Sequence, residues 1–267
     1  MLAELSSAAL VAWGNAWLAG QVGLDDTVDA VERRTGPHLI DTVVDPALPF
    51  EPGVPLRSAL ARLRGLGLAE FRLSLPVPGD PLGLTGGKEL AAAAIEAREA
   101  VLVRLADRWI GLVPRTDLRG SSYRGVAWTP RPAADGRPES IQLSEAEHDL
   151  NSAIREAAAL FGRVDDAQSW GPEVQRALTA LRDPDRPPTT GLAPGYPQRA
   201  HRVAALADRL AVVVRLADDD RGRGLSGTQT ESRRLALRLL DRAVRRARVA
   251  AYCAVLDWPE DRTQGRR

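Results

Sequence analysis

The chain has 267 residues, enough for one large domain or two, and 44% hydrophobic with 27% charged residues is a globular composition, which excludes a disordered or collagenous chain. Its 36 basic and 35 acidic residues leave a net charge of +1, so no global field draws it to nucleic acid or to a membrane surface. The single cysteine, Cys253, excludes an internal disulfide and any multi-cysteine metal site, and makes the cytoplasm the expected location.

The opening stretch contains Glu4 and lacks the Lys or Arg of a signal peptide, and no run reaches the ~18 apolar residues of a membrane span. Residues 6–18 form a predicted helix that stops at Gly20. A second is expected over 25–33 with Asp25 as its cap. The pair invites a helix-turn-helix reading, but Asp25, Asp26 and Asp29 would face phosphate. Trp13 and Trp17, one turn apart, read as core anchors.

Residues 39–44 and 70–75 read as strands, the second alternating Phe71, Leu73 and Leu75 with Arg72 and Ser74. A short helix between them buries Leu56, Ala59, Leu60 and Leu63, and the three together predict a right-handed crossover joining parallel strands. A Gly- and Pro-rich loop over 77–87 precedes an alanine-rich helix from Lys88. Residues 101–105 and 109–113 predict a hairpin, and 123–129 a further strand.

Composition shifts to Pro, Ala, Asp and Gly around 130–138, and everything beyond is helical. Ser144 with Glu147 fits a capping box, as does Thr228 with Glu231. Helices are expected over 144–162, after Pro172, over 199–217 and from Thr228, with a Pro-rich link over 183–198 expected to be accessible. The expected fold is α+β. A mixed α/β domain spans 1–135, an all-α bundle of about four helices spans 143–258, and a polar tail covers 259–267.

Four places offer chemistry. Gly83, Gly86, Gly87 and Lys88, the only lysine, form a weak anion site at a helix start, where free amides and the dipole favour negative charge. The pattern departs from a phosphate loop, because Leu82 replaces its first glycine and Glu89 its Ser or Thr. Glu145 and His148 have di-iron spacing but no second copy, and His38 and His201 lack a matching Glu. Asp218, Asp219 and Asp220 lack the spacing of a calcium loop. No metal or cofactor is therefore expected.

The fourth place is the last helix. Arg234, Arg238, Arg242 and Arg245 form one stripe, and Val249, Tyr252 and Leu256 continue it as apolar residues that require cover. The stripe is read as a solvated face, as a partner for Glu145, Glu147, Asp149 and Glu156, or as a surface for nucleic acid or an acidic partner. Nucleic acid is disfavoured because no aromatic residue interleaves the stripe.

No catalytic residue is identified: a nucleophile elbow and a zinc-protease helix are both missing from the sequence, and Cys253 lies deep within a helix. The expected function is a non-enzymatic interaction or regulatory protein whose helical half binds a protein partner or a second copy. The alternative is an enzyme or ligand-binding protein using the loop at Gly83–Lys88 for a phosphorylated or acidic small molecule, and the third reading is nucleic-acid binding through the Arg stripe.

Overall fold

The computed structural model describes residues 5–106, 108–134, 136, 138–163, 171–181, 191–219 and 227–254. The chain divides into two compact units. The first takes in Met1–Ser140, Gly191–Tyr196 and the chain from Tyr252, and the second Ile141–Thr190 and Pro197–Ala251.

The first unit is built on a mixed five-stranded sheet of β1 (His38–Ile40), β2 (Leu68–Ser74), β3 (Ala100–Leu105), β4 (Arg108–Arg119) and β5 (Tyr123–Pro132), in the order β1-β5-β4-β3-β2. The β3–β4 hairpin forms where the alternating apolar runs predict it, and β4 pairs along its length with β5. The predicted crossover is not present. β1 pairs in parallel with β5, while β2 lies at the opposite edge, antiparallel to β3. Following directions across the sheet, β1 and β2 are antiparallel to each other. The helix between them, α3 (Leu56–Gly65), does form, and buries the four residues expected of it.

Two helices clamp the sheet because glycines let them approach. Helix α1 (Ser6–Leu18) meets β2 at Gly14, where an added Cβ would lie 2.7 Å from the Phe71 ring. Helix α4 (Lys88–Ala97) sets Leu90 over Gly111, where an added Cβ would lie 2.5 Å from Leu90 Cδ1. Phe71 and Gly111 face opposite sides, since Phe71 pairs with Val103 and Gly111 with Leu102. Leu90, Ala94, Ala100, Leu102, Trp109 and Val113 form the core beneath α4.

The N-terminus of α1 carries no side-chain cap of its own, and the Glu99 carboxylate accepts from the Ser7 amide at 2.8 Å instead. Helix α2 (Leu24–Glu32) begins one residue before Asp25, so Gly23 is its cap and Asp25 instead pairs with Arg57 at 2.6 Å. A carboxylate in the first turn is stabilised by the dipole without capping.

The outer edge of β2 is closed by side chains rather than by another strand. The Asn15 amide donates to Phe71 O at 2.8 Å and accepts from Phe71 N at 2.9 Å, while Leu73 N donates to Cys253 Sγ at 3.4 Å. These contacts occupy backbone groups that would otherwise template another chain. Part of the expected link is likewise packed. Trp13 Nε1 donates to Gly191 O at 3.1 Å, the Tyr196 hydroxyl donates to Tyr252 O at 2.8 Å, and Leu192, Ala193 and Tyr196 are buried. Accessibility was expected from the Gly and Pro content, but three apolar side chains within six residues anchor this segment.

The second unit is helical, with α5 (Leu143–Arg163), α6 (Pro172–Leu181), α7 (Gln198–Asp219) and α8 (Gly227–Tyr252), the last residue of α8 counting with the first unit. Helix α5 starts one residue before Ser144, which places Ser144 inside the first turn rather than at the cap. Val174 of α6, Ala217 of α7 and Leu237 of α8 meet in one apolar cluster. Arg199 pairs with Glu147 at 2.6 Å and Arg248 with Asp208 at 2.6 Å, tying α7 to α5 and to α8. No helix among the described residues is long and apolar enough to cross a membrane.

Candidate functional site

The glycine loop leads into α4 with Gly87 as its N-cap and Lys88 as the first helical residue, both exposed. Gly83 has φ +77, the left-handed conformation that glycine adopts without strain. Gly86 lies against Leu90, where an added Cβ would be 2.7 Å from Cδ2. These two glycines therefore have structural reasons independent of any ligand. Gly87, Lys88, Glu89 and Leu90 line a shallow depression of about 240 Å³ with Arg131, Pro132, Ala133 and Ala134 from the end of β5 and the residues after it. Arg131 Nη1 stands 3.7 Å from Glu89 Oε2, and Arg131 Nε is buried without a hydrogen-bond partner among the described residues.

The Arg stripe of α8 divides along its length. Arg234, Arg238 and Arg242 are exposed, whereas Arg245 is buried and donates to Asp241 at 2.8 Å. The change of environment thus begins at Arg245, one turn before the apolar residues that signal it. Val249 and Tyr252 are buried, as an apolar continuation of the stripe requires, and Leu256 lies outside the described residues. Arg233 is buried too and donates from Nη2 to Ala217 O at 3.1 Å, satisfying a carbonyl near the end of α7.

Leu235 and Leu239 are 45% and 38% exposed, although the helix offers Leu237 and Leu240 to its own core. At i and i+4 they lie on one face, with Arg238 beside them and Arg242 a turn further on. This apolar pair leaves area in water whose burial would be worth several kcal/mol, and the neighbouring arginine stems add to it. Glu231 is the acid on the same turns, 3.3 Å from Arg238 Nη2.

His38 is buried, and Trp128 Nε1 donates to its Nδ1 at 3.1 Å. Its other nitrogen therefore carries the proton, which it gives to Thr35 Oγ1 at 2.8 Å, and Thr35 in turn donates to Val31 O at 3.1 Å. Burial lowers the His38 pKa to about 4, so the ring is a neutral bridge. Burial raises the neighbouring Glu32, and the acceptance of the His38 amide at 2.9 Å opposes that rise.

Glu70 and Arg72 form a buried ion pair at 2.5 Å, with Arg104 Nε at 3.1 Å on the other carboxylate oxygen, an arrangement costly to break and poor in net stability. Glu145 and His148 are exposed, and no cluster of three metal-binding side chains occurs among the described residues. Asp218 and Asp219 are exposed at the end of α7, and Asp220 is outside the described residues. Trp13 and Trp17 are half-buried, the second beneath Arg64 at 5.3 Å.

Sequence reasoning overlooked Leu235, Leu239 and Arg131. The two leucines had a signal: a helical period places them beside Arg238 and Arg242, not beside Leu237 and Leu240. Arg131 had none, since its place in the depression beside the start of α4 comes from tertiary packing of β5.

Comparison with known proteins matches residues 7–143 to the Rv1486c-like protein, N-terminal domain, and residues 144–249 to the Rv1486c-like protein, C-terminal domain. The chain is 30% identical to the uncharacterized protein Rv1486c of Mycobacterium tuberculosis, over 95% of this chain and 99% of the relative. It is 28% identical to the uncharacterized protein ML1804 of Mycobacterium leprae, over 95% and 99% respectively. For the uncharacterized protein MAV321 of Mycobacterium avium the identity is 29%, over 94% and 97%. No solved structure matches the chain.

Proposed function

This chain belongs to the Rv1486c-like protein family, and we propose that it is a non-enzymatic interaction or regulatory protein whose helical half binds a protein partner or a second copy of itself. The observation that carries this proposal is the outward placement of Leu235 and Leu239 between exposed arginines on α8. Two leucines at helical spacing gain nothing in water and gain strongly on coverage. A photo-crosslinking residue at position 239 in the full chain tests it: a discrete adduct is expected that disappears on adding Leu235→Ala. Adducts no different from those of a crosslinker at exposed Glu156 on α5 contradict it.

A second reading places a phosphorylated or acidic small molecule in the depression at the start of α4. Its support is that Lys88 and Arg131 line the same depression, and that Arg131 Nε is buried without a hydrogen-bond partner among the described residues. Thermal stabilisation by pyrophosphate or a nucleotide, lost in Lys88→Ala with the unliganded melting temperature unchanged, is its expected result. An unaltered melting temperature in the presence of these anions removes it.

A further inference from the structure

The partner class at α8 follows from the charge and spacing of its exposed face. Leu235, Leu239 and Arg242 mark i, i+4 and i+7, a seam about 10 Å long at 1.5 Å per residue. A seam with that repeat matches the anchors of a helix laid alongside, whereas an extended segment would be read by an open sheet edge. Arg234, Arg238 and Arg242 stand exposed beside the two leucines. Over the same turns the acids are Glu231, which pairs with Arg238, and Asp241, which pairs with Arg245.

We infer that the α8 face of Leu235, Arg238, Leu239 and Arg242 binds an acidic amphipathic helix of another protein, not a second copy of this chain. This rests on the interaction reading above and decides between its two forms. Self-pairing across the leucines would bring two arginine-rich stripes to a helix–helix spacing of about 8 to 10 Å, comparable to the screening length of about 8 Å at physiological salt. Like charges at that distance disfavour association, whereas glutamates flanking a leucine seam pair with the guanidinium groups. A nucleic acid would satisfy the arginines but leave Leu235 and Leu239 facing phosphates, with no aromatic residue on the stripe to stack a base.

Fluorescence anisotropy with the full chain provides the test. The probe is a fluorescein-labelled amphipathic peptide with leucines on one face and glutamates flanking them, and its control carries lysine for each glutamate. The acidic peptide is expected to bind at least about tenfold more tightly than the lysine peptide, and to weaken by about tenfold or more with Leu235→Ala/Leu239→Ala and with Arg238→Glu/Arg242→Glu. All four side chains are exposed, so equal melting temperatures certify the variants. Equal affinity for the two peptides, or indifference to the leucine pair, overturns the inference. Sedimentation equilibrium separates its failure from that of the broader reading. Self-association abolished by the leucine variant overturns the acidic-helix inference and keeps the interaction reading. A chain that stays monomeric and ignores both peptides overturns both, as does binding of a DNA duplex that the arginine variant abolishes and the leucine variant leaves intact.

Discussion

Acidification should weaken the first unit through His38. The ring is neutral because Trp128 Nε1–H occupies one nitrogen and the other donates to Thr35, so protonation forces a donor against a donor where both His38 and Trp128 are buried. An unfolded histidine titrates near 6.5, whereas His38 in the folded protein titrates at about 4. Within that window the unfolded chain binds more protons than the folded one, so stability is complete above about pH 6.5 and falls as the pH is lowered. The gap corresponds to about 3 kcal/mol lost by about pH 4. Glu32 acts in the opposite sense, because its raised pKa favours the protonated folded state, and a comparison against a variant cancels it. His38→Gln keeps an acceptor for Trp128 and a donor for Thr35 but cannot titrate. Urea unfolding of both proteins at several pH values between about 7 and about 4, followed by circular dichroism, should show the wild type losing about 3 kcal/mol relative to His38→Gln. Parallel stability curves for the two would refute the neutral-bridge assignment.

Gly111→Ala should cost about 1 to 3 kcal/mol by overpacking, since Leu90 is buried and has no room to retreat, and thermal unfolding reads it directly. Asn15→Ala leaves the amide and carbonyl of Phe71 unpaired at the sheet edge, a loss of about 2 to 4 kcal/mol by urea titration. Tyr196→Phe removes the donor to Tyr252 O and should cost about 1 kcal/mol, with faster hydrogen exchange confined to residues 191–196 and the end of α8. Cleavage of wild type within 191–196 by a protease before any other site would contradict the packing of that segment.

Local patterns were legible where the chain's own neighbours decide the structure. The limits of α1 are those read from the sequence, because Gly20 at φ +72 stops the helix with its own backbone conformation. The β3–β4 hairpin and α4 followed for the same reason, as did the division into a mixed α/β part and a helical part. The partner of β1 was not legible. His38 pairs with Val126 across a separation that no periodicity encodes, and adjacency in sequence pointed instead to β2. Leu192, Ala193 and Tyr196 were obscured by the Gly and Pro around them, and their anchors, Trp13 and Tyr252, lie far away in the chain. Of the candidate anion site, the glycines and Lys88 were visible and Arg131 was not. On α8 the stripe was visible, but the burial of Arg245 within it was not, since helical phase fixes a residue's direction and not what stands there. Leu235 and Leu239 were overlooked although their helical phase sets them beside Arg238 and Arg242.

The placement of those two leucines is tested most directly by thiol labelling of Leu239→Cys, with Cys253 as the internal reference. Cys253 is buried and accepts the amide of Leu73, so it should react only through local unfolding. A cysteine at 239 should react within about tenfold of a free thiol, and saturating acidic amphipathic peptide should slow it by at least about tenfold. A position 239 as unreactive as Cys253 in the free protein, or a rate the peptide leaves unchanged, would contradict the assignment of this face as a partner surface.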